Sequence, residues 1–94
     1  MKILAIENEM EGVEWDNSGD LLKEEAQHVY DLYLKNSLRE IYFTENKNAI
    51  LVLETEDKQA AIKLLDALPL VKSGKIKFAV MELRPYTGYE RIMR

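Results

Sequence analysis

Two short stretches, residues 2–7 (Lys-Ile-Leu-Ala-Ile-Glu) and 49–54 (Ala-Ile-Leu-Val-Leu-Glu), are apolar on both faces that strand alternation gives them. A strand greasy on both sides needs cover on both sides, so each is expected at the centre of a sheet. Two further stretches alternate. In residues 38–44, Leu38, Glu40 and Tyr42 fall on one face and Arg39, Ile41 and Phe43 on the other. In residues 75–83, Ile76, Phe78 and Val80 oppose Lys75, Lys77, Ala79, Met81 and Leu83. The stretch Glu45-Asn46-Lys47-Asn48 carries turn chemistry between the second and third strands.

Helical spacing separates these strands. Over residues 20–36, Leu21, Leu22, Ala26, Val29, Leu32 and Tyr33 share one face, with Ser18 or Asp20 as cap and Asn36 as the end. A second helix starts from Thr55 or Asp57, presents Ala61, Leu64, Leu65 and Leu68, and stops at Pro69. The order is βαββαβ. That order implies an α+β, ferredoxin-like domain, with a four-stranded antiparallel sheet and two helices on one face. Two helices leave the other sheet face bare, an apolar patch too large for a monomer, so a second sheet is expected over it as a dimeric α/β barrel.

Ninety-four residues, 47% apolar and 32% charged, suit one globular domain spanning 1–94. Cysteine is absent, which excludes disulfides and thiolate metal sites and fits a cytoplasmic protein. Met1-Lys2 leads straight into a strand and then acids, unlike a signal peptide, and no apolar run is long enough for a membrane span. A net charge of −4 argues against nucleic acid as a partner. Acids crowd residues 7–25, whereas Lys72, Lys75, Lys77, Arg84, Arg91 and Arg94 follow Pro69. The tail, residues 85–94, is expected to pack on a partner subunit, with solvated charge as the simpler reading.

One carboxylate is out of place. Glu25 projects into the apolar stripe of the first helix, where a buried charge costs several kcal/mol unless paired or protonated. Either a small rotation of the helix or snorkelling puts this carboxylate in solvent at the mouth of the core, or it is held in a pocket as a proton-transfer candidate, its pKa raised by burial and lowered by any nearby Arg39. Tyr42 and His28 are further proton-transfer candidates, against plain packing for the phenol and a paired surface imidazole for the only histidine. Arg39, next to Glu40, is either a surface ion pair or a fork for a ligand carboxylate. Alternation puts Arg39 and Tyr42 on opposite faces, so one pocket can hold both only through a bulge or the strand end. Trp15, in the acidic loop, is a candidate lid or an end plug. A single histidine without cysteine makes a metal site unexpected, and no glycine-rich phosphate loop or nucleophile–histidine set is present.

Leu38-Arg39-Glu40-Ile41-Tyr42-Phe43, Leu68-Pro69-Leu70 and Glu82-Leu83-Arg84-Pro85-Tyr86 together resemble the muconolactone isomerase-like group of dimeric α/β barrel proteins. The resemblance runs from the first helix to Tyr86, with an acid at Glu25, Arg at Arg39 and an aromatic at Tyr42. It implies homodimers or higher homo-oligomers that bind small organic ligands between sheet and helices. In the isomerase the chemistry is cofactor-free proton transfer that shifts a double bond. This chain departs from that pattern by its long acidic loop around Trp15 and by Tyr where the isomerase has Trp. The expected site is therefore Glu25, Tyr42 and His28 for proton transfer, with Arg39 and Trp15 holding the substrate. The alternative is a non-catalytic binding or oligomer-assembly module.

Overall fold

A computed structural model describes residues 1–93, so Arg94 of the basic tail lies outside the described residues. The strands are β1 (Lys2–Glu9), β2 (Leu38–Phe43), β3 (Ala49–Glu54) and β4 (Ile76–Leu83). The helices are α1 (Gly19–Leu34), α2 (Lys58–Asp66) and a single turn, α3 (Pro69–Lys72). The sheet order is β2-β3-β1-β4 with every pairing antiparallel. The two strands that are apolar on both faces, β1 and β3, hold the centre.

The helix-covered side of the sheet is the core. Ile3 and Ala5 of β1 pair with Leu53 and Leu51 of β3, and all four are buried. Ala61 and Leu65 of α2, together with Leu68, close over them. Burial of each such leucine or isoleucine side chain contributes roughly 1.5–3 kcal/mol. Asp57 caps α2 with its Oδ1 accepting from the Ala60 N–H at 2.8 Å. That helix ends at Asp66, two residues before the expected end, and Pro69 opens α3 as well as barring continuation.

The first helix stops by a double hydrogen bond. Asn36 takes a left-handed conformation (φ 64°), and the Asn36 and Ser37 N–H groups donate to Tyr33 O and Leu32 O, both at 3.0 Å. Ser18 occupies the start of α1 but its side chain makes no capping bond.

The other sheet face carries no helix. Leu4, Ile6, Ile50, Val52, Ala79 and Met81 form a continuous apolar surface, half-buried at the centre and open at β4. Beyond β4 the tail forms a short 3-10 turn, Gly88–Ile92, with Tyr86 and Tyr89 edge to face at 4.9 Å. The Tyr86 ring lies over Gly88 where any side chain would collide. Tyr86, Tyr89, Ile92 and Met93 are all exposed.

One irregularity matters for function. Leu38 pairs with Leu53 but Glu40 pairs with Val52, so Arg39 is an extra residue in a β-bulge. Past the bulge the alternation inverts. Leu38, Ile41 and Phe43 share the helix-covered side, while Glu40 and Tyr42 share the bare side. The uninterrupted alternation expected for this strand, with Leu38 beside Glu40 and Tyr42, is corrected accordingly.

Candidate functional site

The stripe on α1 is only partly packed. Val29 and Leu32 meet the core, but Leu22, Tyr30 and Tyr33 stay exposed. They overhang a cavity of about 800 Å³ between α1 and the sheet. Its floor is Leu38, Ile41, Phe43, Leu51 and Phe78; its roof is Leu22, Ala26, Val29, Tyr30 and Tyr33. Small side chains make the room: Ala26 of α1 and Ala49 of β3 both line the cavity, where larger residues would fill part of it. Tyr30 and Tyr33 stack with ring centres 6.4 Å apart, one turn of α1 carrying both.

Glu25 faces this cavity from α1 and is half-buried. Its Oε1 accepts from the Leu70 backbone N–H at 2.9 Å. This bond ties α1 to the first turn of α3 and satisfies an amide of a buried residue. Burial raises the Glu25 pKa above the ordinary carboxylate range, while the Leu70 amide and the His28 charge pull it back.

A second carboxylate, Glu7, lines the same cavity from β1. Burial raises its pKa, the Ala49 amide opposes the rise, and the charges of Glu25 and then Glu9 add to it. Glu7 was not among the expected site residues. The signal was available: it sits two residues beyond Ala5 on the side of β1 that carries Ile3, an acid on a core-facing position. The Asn48 Nδ2 donates to the Glu7 backbone oxygen at 3.2 Å, holding the β2–β3 turn against β1 at the cavity mouth.

Trp15 closes one end. Its Nε1 donates to Glu9 Oε1 at 2.6 Å, and Lys75 Nζ lies 5.4 Å from the ring centre. The same Nζ donates to Glu14 O at 2.6 Å, so one lysine of the β4 approach latches the acidic loop. Trp15 is thus held as a wall.

The other expected members, Tyr42, Arg39 and His28, do not line this cavity. Tyr42 is 59% exposed on the bare sheet face, across the sheet from Glu25, because of the bulge. Its hydroxyl donates to Glu40 Oε1 at 2.9 Å, and that carboxylate raises the phenol pKa, so still less phenolate is present at neutral pH to act as a base. Arg39, the extra residue of the bulge, is exposed and does not line the cavity. His28 is exposed toward an open groove between α1 and α3, beside Glu24, Pro69 and Lys72, and reaches Glu25 only through its charge. Among the described residues, no cluster of three histidine or acidic side chains is placed to hold a metal. No helix among them is long and apolar enough to cross a membrane.

The raised carboxyl groups give a testable pH dependence. Glu7 and Glu25 keep their protons to higher pH when folded than when unfolded, so folding takes protons up. Their contribution is most favourable below the ordinary carboxylate pKa and declines as pH rises through the raised values. Glu7→Gln is therefore expected to gain stability relative to the unsubstituted protein as pH rises from about 4 to about 7. Urea midpoints across that range measure it. A difference that stays constant or shrinks with pH would show that Glu7 titrates as an ordinary surface acid.

No protein-family model matches the chain, and no characterised protein matches it in sequence at a significant level. Solved structures do. The chain is similar to 5-chloro-2-hydroxyhydroquinone dehydrochlorinase (TftG) from Burkholderia phenoliruptrix AC1100, determined in complex with 2,5-dihydroxybenzoquinone, with a TM-score of 0.63 and 16% identity. The match covers 94% of this chain and 98% of that one. At that identity the likeness shows the fold: this chain has the α+β, ferredoxin-like architecture, shared along nearly the whole length of both proteins.

Proposed function

We propose that this protein binds a small organic molecule between α1 and the sheet and acts on it by cofactor-free proton transfer at Glu25, in the manner of a muconolactone isomerase-like enzyme. The observation that carries this reading is the cavity of about 800 Å³, apolar on its walls, with a half-buried carboxylate facing it. The shared fold with a dehydrochlorinase that was solved with a ring ligand supports it. In the simplest step, ionised Glu25 takes a proton from a carbon next to a carbonyl. The electron pair moves into a new double bond, and the resulting acid returns the proton farther along the conjugated system. The carboxylate is regenerated and no oxidant is consumed. A pKa above the ordinary range makes Glu25 a stronger base when ionised.

Ala26→Phe is the direct test. Ala26 is exposed to the cavity, so a ring there fills the space without displacing the core. Wild-type protein is expected to bind a neutral naphthalene, read by its fluorescence, and the variant to lose at least about tenfold in affinity for it. Unchanged affinity in a folded variant would place binding outside the cavity.

The same reading includes a homodimer. The bare sheet face carries a continuous apolar surface at its centre, and a second copy's sheet would cover it. Val52→Lys places an ammonium beside Glu40 across the β2–β3 pair, where a monomer tolerates it and a dry sheet–sheet interface does not. Light scattering at micromolar concentration is expected to report a dimer for the wild type and a monomer for Val52→Lys. A wild-type monomer would remove the sheet-face interface from the proposal.

A further inference from the structure

The charges around the cavity are lopsided in a way that bears on what can enter it. Glu7, Glu9 and Glu25 line it against a single cation, Lys47, which stands exposed at the mouth in the β2–β3 turn. Arg39, the side chain suited to gripping a carboxylate, is outside. Two of the acids are differently engaged. Glu9 is occupied by the Trp15 indole, whereas Glu25 commits one oxygen to Leu70, and its Oε2 accepts no hydrogen bond from the described residues. Glu7 faces the same space from the sheet side. Between these carboxyl groups the walls are ring-lined, with Phe43 and Phe78 in the floor and Tyr30 and Tyr33 in the roof.

We propose that Glu7 and Glu25 form a two-sided carboxyl clamp that selects an uncharged, hydroxyl-bearing planar ring and turns away carboxylate ligands. The inference rests on reading the cavity as a ligand site. A carboxylate accepts hydrogen bonds and donates none, so its natural partner is a ligand O–H. An anionic ligand meets two like charges in a partly desolvated space, which costs more there than in water. A neutral ring with hydroxyl groups at opposite edges satisfies both acids while its faces stack on the aromatic walls. Burial is the first cause of the raised pKa of both acids, and for Glu7 the charge of Glu25 adds to the rise.

The experiment compares two rings of matched size, 2-naphthol and 2-naphthoate, by calorimetric titration near neutral pH. The indole N–H resonance of Trp15, the only tryptophan, reports whether the bound ring sits in the cavity. Wild-type protein is expected to bind 2-naphthol at least about tenfold more tightly than 2-naphthoate, with the Trp15 resonance shifting. In the double variant Glu7→Gln, Glu25→Gln that ratio is expected to collapse to near one, because naphthoate gains and naphthol loses. Both substitutions keep the size of the side chain, and Glu25→Gln retains an oxygen for the Leu70 N–H. Equal or tighter binding of 2-naphthoate by wild type would overturn the ligand class and leave the cavity reading standing. A ratio unchanged in the double variant would overturn the clamp. Binding of neither ring, or binding that leaves Trp15 unmoved, would overturn the cavity reading and the clamp with it.

Discussion

Leu53→Ala is expected to destabilise the fold by about 2–5 kcal/mol, the largest effect of any single substitution considered for this protein. Leu53 is 0% exposed and lies on β3, flanked by Ile3 on β1 and Leu38 on β2. Truncation removes buried methyl groups and leaves a cavity that three hydrogen-bonded strands cannot collapse around. A domain of this size holds on the order of 5–15 kcal/mol in total, so the loss is a large fraction of it. Each kcal/mol corresponds to about 4–8 °C in melting temperature, and a fall of ten degrees or more is expected. Urea midpoints and thermal melts at one fixed protein concentration measure the change, since self-association of the kind proposed would make both concentration-dependent. A loss below about 1 kcal/mol would show that the β1–β3 layer is not the centre of the core.

Glu25 gives the second large effect and separates its structural role from its chemistry. In Glu25→Ala the Leu70 N–H, on a residue only 6% exposed, loses its acceptor. A buried donor left unpaired costs about 1–3 kcal/mol. Removing the carboxylate also relieves its own desolvation, but the group is half-exposed, so that relief is the smaller effect. Glu25→Gln keeps an acceptor for Leu70 and is expected to stay within about 1 kcal/mol of wild type. Both variants are expected to lose proton transfer, because neither alanine nor glutamine exchanges a proton near neutral pH. Glu24→Gln, one position away and exposed, serves as the control at under about 0.5 kcal/mol. If alanine and glutamine at position 25 cost the same, the bond to Leu70 contributes nothing. If Glu25→Gln retains turnover of a substrate, the proton-transfer role goes to another group, with Glu7 first in line.

Two residues that line the cavity, Glu25 and Trp15, were legible before any tertiary structure. Glu25 stands out because a helix repeats every 3.6 residues and its neighbours on the stripe are apolar. Trp15 stands out as a large aromatic in a polar loop, and it does line the cavity. Glu7 obeys the same logic on a period of two. It escaped notice because a short strand ending in an acid reads as a strand reaching solvent, while β1 continues to Glu9.

Local pattern determined the element order, the central placement of β1 and β3, and hence the ferredoxin-like fold. Those properties follow from which residues alternate and which must be covered on both sides, and each is written within a few consecutive residues. The membership of the cavity was decided by the tertiary structure. One extra residue at Arg39 in the pairing of β2 with β3 sends Tyr42 to the bare face and leaves the guanidinium in solvent. The rotation of α1 against α3 turns His28 outward while it hands Glu25 the Leu70 amide. A bulge and a helix rotation are settled by partners distant in the chain, through hydrogen-bond register and side-chain packing. A strand's own alternation carries no record of either, because inserting one residue into the pairing inverts every side chain beyond it.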